Sequence, residues 1–385
     1  MEITKDIQYV GVNDYEIKLF EAQYAVEKGM AYNSYAILDD KIAIMDSVEI
    51  NFGKKWLENI EKALNGRKPD YLIIHHMEPD HSANIKLFAE NYPDTKIVAT
   101  AKAFTIMNQF FGTKFDDRQI VVSEKDTLSL GKHNLTFITT PMVHWPEVMV
   151  TYDSYDKVLF SADAFGKCGT TDADEDWACE ARRYYFGIVG KYGAQVQALL
   201  KKVSSWDVNK ICPLHGPVLT ENIGYYINLY DTWSSYKPES EGVLIAYASI
   251  YGNTKVAAEK LCDMLKEMGC PKVAITDLVR DDMAEAVEDA FRYNKLILAS
   301  VTYNADMFPA MKSFILHLTE RNYQNRTVAF IENGSWAPMA SKAMKQMLAT
   351  SKNLNIVSEE VHIKSSLDAE STAQLKALAR IIAGE

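Results

Sequence analysis

The sequence predicts an α/β protein of two consecutive domains, the second a doubly wound parallel sheet. Three observations predict it. Up to about residue 240, β-type runs come in pairs, and metal-ligating residue types collect at their ends. The stretch Ser234-Ser235-Tyr236-Lys237-Pro238-Glu239-Ser240-Glu241-Gly242 is polar, carries Pro and Gly, and reads as a linker. Beyond it, strand and helix patterns alternate strictly, as a parallel sheet with crossover helices requires. The domains are accordingly placed at 1–240 and 241–385, and the chain of 385 residues is long enough for both at roughly 150 residues per domain.

In the first part, Val12–Phe20 and Ser34–Asp39 read as strands, and Asp39-Asp40-Lys41 turns into a further strand, Ile42–Asp46. Phe52–Leu64 has helical spacing, with Trp56, Leu57, Ile60 and Leu64 on one face. Asp70–His75 is a short apolar strand that runs straight into a polar loop. Gln119–Val122, Leu135–Thr139, Val148–Thr151, Val158–Ser161 and Lys210–Pro213 are β-type, and Ala194–Val203 is helical.

In the second part the strands are Val243–Ala248, Val273–Asp277, Leu296–Ser300, Val328–Glu332 and Ile356–Val361. Helices are expected near Thr254–Met268, Met283–Asp289, Ala310–Arg321, Ser341–Leu348 and Ala369–Ile382. Five strands with five helices make a five-stranded doubly wound sheet.

Composition narrows the function. A formal charge of −11 argues against a nucleic-acid partner. The cysteines number 5 and include no CxxC pair, which argues against a rubredoxin-type iron site, a zinc ribbon or a ferredoxin cluster on this chain. The polar, mixed-charge start is unlike a secretory signal. No apolar run approaches about 18–20 residues, so no membrane span is expected. The expected compartment is the cytoplasm.

The strongest chemical signal is His76-Met77-Glu78-Pro79-Asp80-His81, at the mouth of an apolar strand. A strand feeding a loop can aim alternate side chains at one point, and a bound cation compensates carboxylates that are buried together. Three more candidates stand at later strand ends: His144, Asp163 and His215. His75 points to the opposite strand face from His76, and the isolated His133 and His317 are read as structural or surface residues.

This order of ligand types resembles the metallo-β-lactamase superfamily over about residues 1–235. The hydrolases of that superfamily carry a second His where this chain has Glu78. The resulting His-x-Glu-x-Asp-His, followed by His, Asp and His, resembles the flavodiiron proteins closely. The donor set of three carboxylates with imidazoles suits a pair of iron ions better than zinc. The resemblance implies an N-terminal metallo-β-lactamase-like αβ/βα sandwich. It further implies that His76, Glu78 and His144 hold one iron, that Asp80 and His215 hold the other, and that Asp163 bridges. In the family the counterpart of His81 ligates the second iron in some members and swings away in others.

After the first strand of the second part comes Ser249-Ile250-Tyr251-Gly252-Asn253-Thr254. Hydroxyls and free amides at a helix N-terminus favour phosphate. Without a Lys the loop is not a triphosphate-binding loop, and it is not GxGxxG either. Taken alone, the hexapeptide has a lesser rival reading as a plain capped helix N-terminus. Two further loops, Ser300-Val301-Thr302-Tyr303-Asn304-Ala305 and Glu332-Asn333-Gly334-Ser335-Trp336, follow the third and fourth strands at the edge where open α/β sheets bind ligands. Together the three resemble the FMN loops of flavodoxins, with Tyr303 and Trp336 as the ring-stacking candidates. Val301 stands where the family usually has Pro.

Flavin and metal motifs in one chain imply an oxidoreductase. The flavodiiron resemblance implies that electrons pass through FMN to two irons that reduce dioxygen to water or nitric oxide to nitrous oxide. With no rubredoxin or reductase module after the flavodoxin-like part, the expected donor is a separate rubredoxin-type protein. The expected assembly is a head-to-tail homodimer or a homotetramer. Two rivals remain: a metallo-β-lactamase-type hydrolase fused to a flavodoxin, and a non-catalytic redox carrier or sensor.

Overall fold

A computed structural model describes residues 1–384. The chain forms two compact units. The first comprises Met1–Tyr185 and Ala194–Asp231; the second takes Phe186–Gly193 and the chain from Thr232 onward. The division thus comes ahead of the Ser234–Gly242 stretch. That stretch is ordered: Ser234 ends a helix, Ile223–Ser234, and Ser240 begins the strand Ser240–Ala248. The Tyr236 hydroxyl donates to the Gly190 carbonyl at 2.8 Å, and Phe186 stacks on Phe291 at 4.1 Å. These contacts tie Phe186–Gly193 to the second unit.

The first unit has two sheets. One runs in the order Ile7–Tyr9, Tyr35–Leu38, Ile42–Met45, Tyr71–Ile73, Lys96–Thr100, Gln119–Val122. Its first two pairings are antiparallel and the rest parallel. The other runs Thr127–Ser129, Asn134–Thr139, Met149–Asp153, Val158–Phe160, Lys210–Cys212, antiparallel except for its last pair. Ile37, Met45, Ile73 and Val98 from one sheet share a core with Leu135, Phe137, Met149 and Phe160 from the other. Alternation along each strand aims these residues inward, as in any two-sheet stack.

Helices cover the outer faces. Gly53–Leu64 buries Trp56, Ile60 and Leu64, while Leu57 stays half-buried. Trp56 donates its indole N–H to Ser34 at 2.9 Å and meets Phe88 of Ile85–Asn91. Gly193–Val203 buries Val196, Leu199 and Val203. The expected strand Val12–Phe20 is broken into Val12–Asp14 and Leu19–Phe20. Asp14 causes the break, because its carboxylate accepts the Glu16 and Ile17 N–H groups and turns the chain.

The second unit is one parallel sheet in the order Val273–Asp277, Ser240–Ala248, Tyr293–Tyr303, Thr327–Asn333, with the fifth strand at the edge. The fifth strand is interrupted, as Asn355–Ile356 and Val361–Ile363. Glu360, between the pieces, turns to Ser341 and Lys345. The helices are Asn253–Glu267, Met283–Arg292, Pro309–Glu320, Ala340–Leu348 and Ala369–Ala383. Leu261 and Leu265 of the first of these share a core with Leu375 and Leu378 of the last.

Candidate metal centre and flavin pocket

Each metal-type side chain stands just past the C-terminal end of a strand. His76 follows Tyr71–Ile73. Glu78 then caps a single helical turn, Pro79–Ser82, whose Pro fixes the first helical φ. That turn carries Asp80 and His81, and the Ser47 hydroxyl and amide both bind the His81 carbonyl at 2.9 Å. His144 lies in the loop after Asn134–Thr139, Asp163 follows Val158–Phe160, and His215 follows Lys210–Cys212. Parallel pairing of the last two strands brings Asp163 and His215 to the same end.

The seven side chains meet in two groups. Glu78 Oε2 lies 3.2 Å from His76 Nε2 and 3.0 Å from His144 Nε2. Asp163 Oδ2 is 3.4 Å and 3.2 Å from the same two nitrogens. In the second group, Asp80 Oδ2 is 3.3 Å from Nε2 of both His81 and His215, which are themselves 3.0 Å apart. Asp163 Oδ1 is 3.3 Å from His81 Nε2 and 3.8 Å from His215 Nε2. One carboxylate therefore offers an oxygen to each group.

These spacings fit metal ions. Two donor atoms each about 2.1 Å from one ion, at right or tetrahedral angles, are roughly 3.0–3.4 Å apart. Both oxygens of Asp80, both of Asp163 and Nδ1 of His81 are buried without a hydrogen bond of acceptable geometry, a costly state that cations relieve. The electrostatics agree. Burial would push the His144 imidazole down, but Asp163 and Glu78 raise it to about 9. Against the burial that would raise Glu78, its bonds to His144 and His76 lower it. Asp163, despite complete burial, is held well below the usual carboxylate range by His76 and His144.

Several residues that support this centre escape the sequence reading. Glu147 accepts from His76 Nδ1 and the Met77 N–H, both at 2.9 Å, fixing which nitrogen of His76 faces the centre. The Ala31 carbonyl does the same for His215 Nδ1 at 2.7 Å. Asn33 binds the Pro213 and Gly216 carbonyls at 2.8 Å and so clamps the His215 loop. Gly216 has φ +75, and a Cβ there would stand 2.7 Å from the Lys167 side chain. Tyr230 accepts the Phe165 N–H at 2.5 Å, two residues beyond Asp163. None of these carries a local motif; only the folded chain brings them to the ligands. His75 faces away from the centre, bonded to Asp46 at 2.5 Å and to Thr151 at 2.7 Å.

Beside the centre lies a cavity of about 560 Å³, lined by Phe20, Glu21, Tyr32, Glu49, Glu78 and Asp80 among others. Burial, then the neighbouring Glu78 charge, raises the Glu21 carboxyl above its ordinary value. The rings of Phe20, Tyr32 and Tyr184 surround His215 at 5.2, 6.0 and 5.4 Å.

The second unit has its own cavity, also about 560 Å³, at the C-terminal edge of the sheet. Ser249, Ile250, Tyr251, Asn253, Thr254, Thr302, Tyr303, Asn304, Ala305, Asn333, Gly334, Ser335 and Trp336 all line it. Gly252 instead shapes the backbone: it caps the helix Asn253–Glu267 at φ +95, with its N–H on Ser249 Oγ at 3.2 Å. Val301 of the second loop also lines the cavity, and Ala337, Met339 and Ser365 line it from outside the three expected loops. Asn304 and Ala305 both have positive φ and close a two-residue hairpin between Thr302–Tyr303 and Asp306–Met307, which gives the second loop its shape. Tyr251 and Trp336 are more than nine-tenths exposed, so their rings are free to stack on a planar ligand.

Comparison with known proteins supports both readings. The family description "ODP family beta lactamase" matches residues 30–216, and a flavodoxin domain matches residues 244–373. An uncharacterized protein of Methanocaldococcus jannaschii is 30% identical over 94% of this chain and 92% of its own length. A nitric oxide reductase of Moorella thermoacetica is 28% identical over 91% of this chain and 90% of its own. Among solved structures, rubredoxin oxygen:oxidoreductase from Desulfovibrio gigas superposes with a TM-score of 0.91 at 25% identity, covering 100% of this chain and 98% of that one. A flavodiiron protein from Giardia intestinalis gives 0.92 at 25% identity, covering 100% and 95%.

Proposed function

This chain belongs to the flavodiiron protein family, and from that premise we propose that it reduces dioxygen to water, nitric oxide to nitrous oxide, or both. It is an oxidoreductase whose cofactors are FMN and a pair of iron ions. The observation that carries the proposal is Asp163, one buried carboxylate with an oxygen turned to each of two donor groups. In this reading His76, Glu78 and His144 hold one iron, Asp80, His81 and His215 the other, and Asp163 bridges. His81 is included because its Nε2 lies as close to Asp80 as that of His215 does.

When bound, the irons would supply electrons and Lewis acidity for reduction of the small oxidant. The chain's residues do the rest. Three carboxylates offset the charge of the cations, and Glu147 and the Ala31 carbonyl hold His76 and His215 with Nε2 toward the centre. Phe20, Tyr32 and Tyr184 restrict water around His215. The adjoining cavity reaches Glu78 and Asp80 and so gives a small diatomic gas a way to the ligands.

The two cofactor sites occupy different compact units, so electrons cross between units. A head-to-tail homodimer, possible in C₂ symmetry or doubled into a tetramer, supplies that crossing from a second copy. The proposed donor is a separate rubredoxin-type protein, and the proposed compartment is the cytoplasm. Among the described residues no helix is long and apolar enough to cross a membrane. Gas-electrode traces for each of the two gases, with anaerobically prepared protein and one reduced donor, test the reaction. Consumption of either gas supports it; consumption of neither by iron- and FMN-loaded protein refutes it.

A further inference from the structure

Ser365 lines the flavin cavity, yet it lies apart from the three loops and the following Ala337 and Met339 that supply the rest of the lining. It follows the fifth strand, Val361–Ile363, at the tip of a tight turn. Its φ is +72, and the Ser366 N–H donates to the Lys364 carbonyl at 3.0 Å. That is a three-residue γ-turn of the rare positive-φ kind, which a chain keeps only where neighbours hold it.

Asn333 holds it. The Asn333 side chain is buried; its Oδ1 accepts the Ser365 N–H and its Nδ2 donates to the Ser365 carbonyl, both at 3.1 Å. Next to it the Gly334 N–H donates to the Ile363 carbonyl at 3.0 Å. The same Nδ2 lies 3.5 Å from Thr254 Oγ1, at the N-terminus of the helix Asn253–Glu267. One amide thus spans from the helix end, where an anion is favoured, to the Ser365 turn. The Ser365 hydroxyl meets the Ser335 hydroxyl at 2.9 Å. Here Ser365 is the donor, but hydroxyl protons rotate: a third acceptor that takes the Ser365 proton leaves Ser335 to donate to Ser365 in its place.

We infer that Ser365 forms a fourth flavin-binding loop, donating its hydroxyl proton to the phosphate of FMN, with Asn333 as the residue that positions it. The inference rests on the flavin reading of this cavity. The phosphate end is indicated because the turn is tied through Asn333 to Thr254. Asn333, whose side chain is committed to this clamp, then acts on the flavin through Ser365 and Thr254.

The test titrates FMN, and separately riboflavin, into flavin-free full-length protein and follows quenching of flavin fluorescence. Ser365→Ala should weaken FMN about tenfold, the scale of one hydrogen bond to a charged group, and leave riboflavin affinity unchanged because that ligand has no phosphate. Ser365→Gly should show the same selective loss while relieving the positive φ, which separates the missing hydroxyl from a disturbed turn. Asn333→Ala should reproduce the selectivity. Unchanged FMN affinity in both Ser365 variants, or equal losses for FMN and riboflavin, overturns the inference. Failure of the unaltered protein to bind FMN overturns the flavin reading itself.

Discussion

The Nε2 atoms of His81 and His215 face each other 3.0 Å apart in the buried floor of the first unit. His215 bonds through Nδ1 to the Ala31 carbonyl, which leaves its Nε2 facing His81. Asp80, His81 and His215 would together hold one cation there.

Asp163 and His81 should differ in what their loss costs. Asp163 serves both donor groups, whereas His81 serves one. Asp163→Asn is expected to deplete both irons, and His81→Asn to leave the His76 side loaded. Elemental analysis of the purified variants reads this directly; equal iron loss in the two contradicts the bridging assignment.

Glu147 orients His76 without touching the centre. Removing such a partner costs roughly 10- to 100-fold in metal affinity. Glu147→Ala should show that weakening in a competitive chelator titration. Glu147→Gln, which still accepts the Met77 N–H, should recover part of it. A Glu147→Ala protein that holds iron as tightly as the unaltered chain contradicts the role.

At the far end of the same strands, His133 gives the first unit a pH dependence. Burial pushes its imidazole down, but the 2.9 Å bond from Nδ1 to Asp153, with Asp156 and Asp39, more than offsets this and raises it. Asp6 also faces its Nε2 at 3.6 Å, Lys132 pairs with Asp6, and the Tyr155 ring lies at 4.9 Å. A raised folded value means stability that is complete below the unfolded value of about 6.5 and lost as pH rises through the folded one. Denaturation midpoints of the first unit should therefore fall across that window. His133→Asn should flatten the fall; an unchanged slope would count against it.

Subunit mixing tests the dimer. A variant lacking the metal site (His76→Ala with Asp163→Asn) is combined with one lacking FMN. If electrons cross between copies, activity appears where neither parent has any. Full activity from a protein that sediments as a monomer rules the arrangement out.

The second unit was legible almost strand by strand, because β-α alternation is a local pattern and each buried strand is a continuous apolar run. Its misread element was the edge: Glu360 leaves the ladder for Lys345, a choice made by a residue distant in sequence. In the first unit, the candidate donors that the fold brings together were legible because strand ends carry them in bursts. The supports were not, since the pairings of Glu147 with His76 and of Asn33 with Pro213 join residues far apart in the chain. Phe186–Gly193 went unrecognised as part of the second unit for the same reason: its partners, Phe291, Arg321 and Tyr236, come much later.

The most direct test of the central claim is metal and flavin analysis of anaerobically prepared protein, with the gas-electrode traces run on the same sample. The account predicts iron and FMN in a two-to-one ratio per chain and donor-dependent consumption of dioxygen or nitric oxide. Active protein holding two zinc ions and no iron, with hydrolysis as its only reaction, would contradict it.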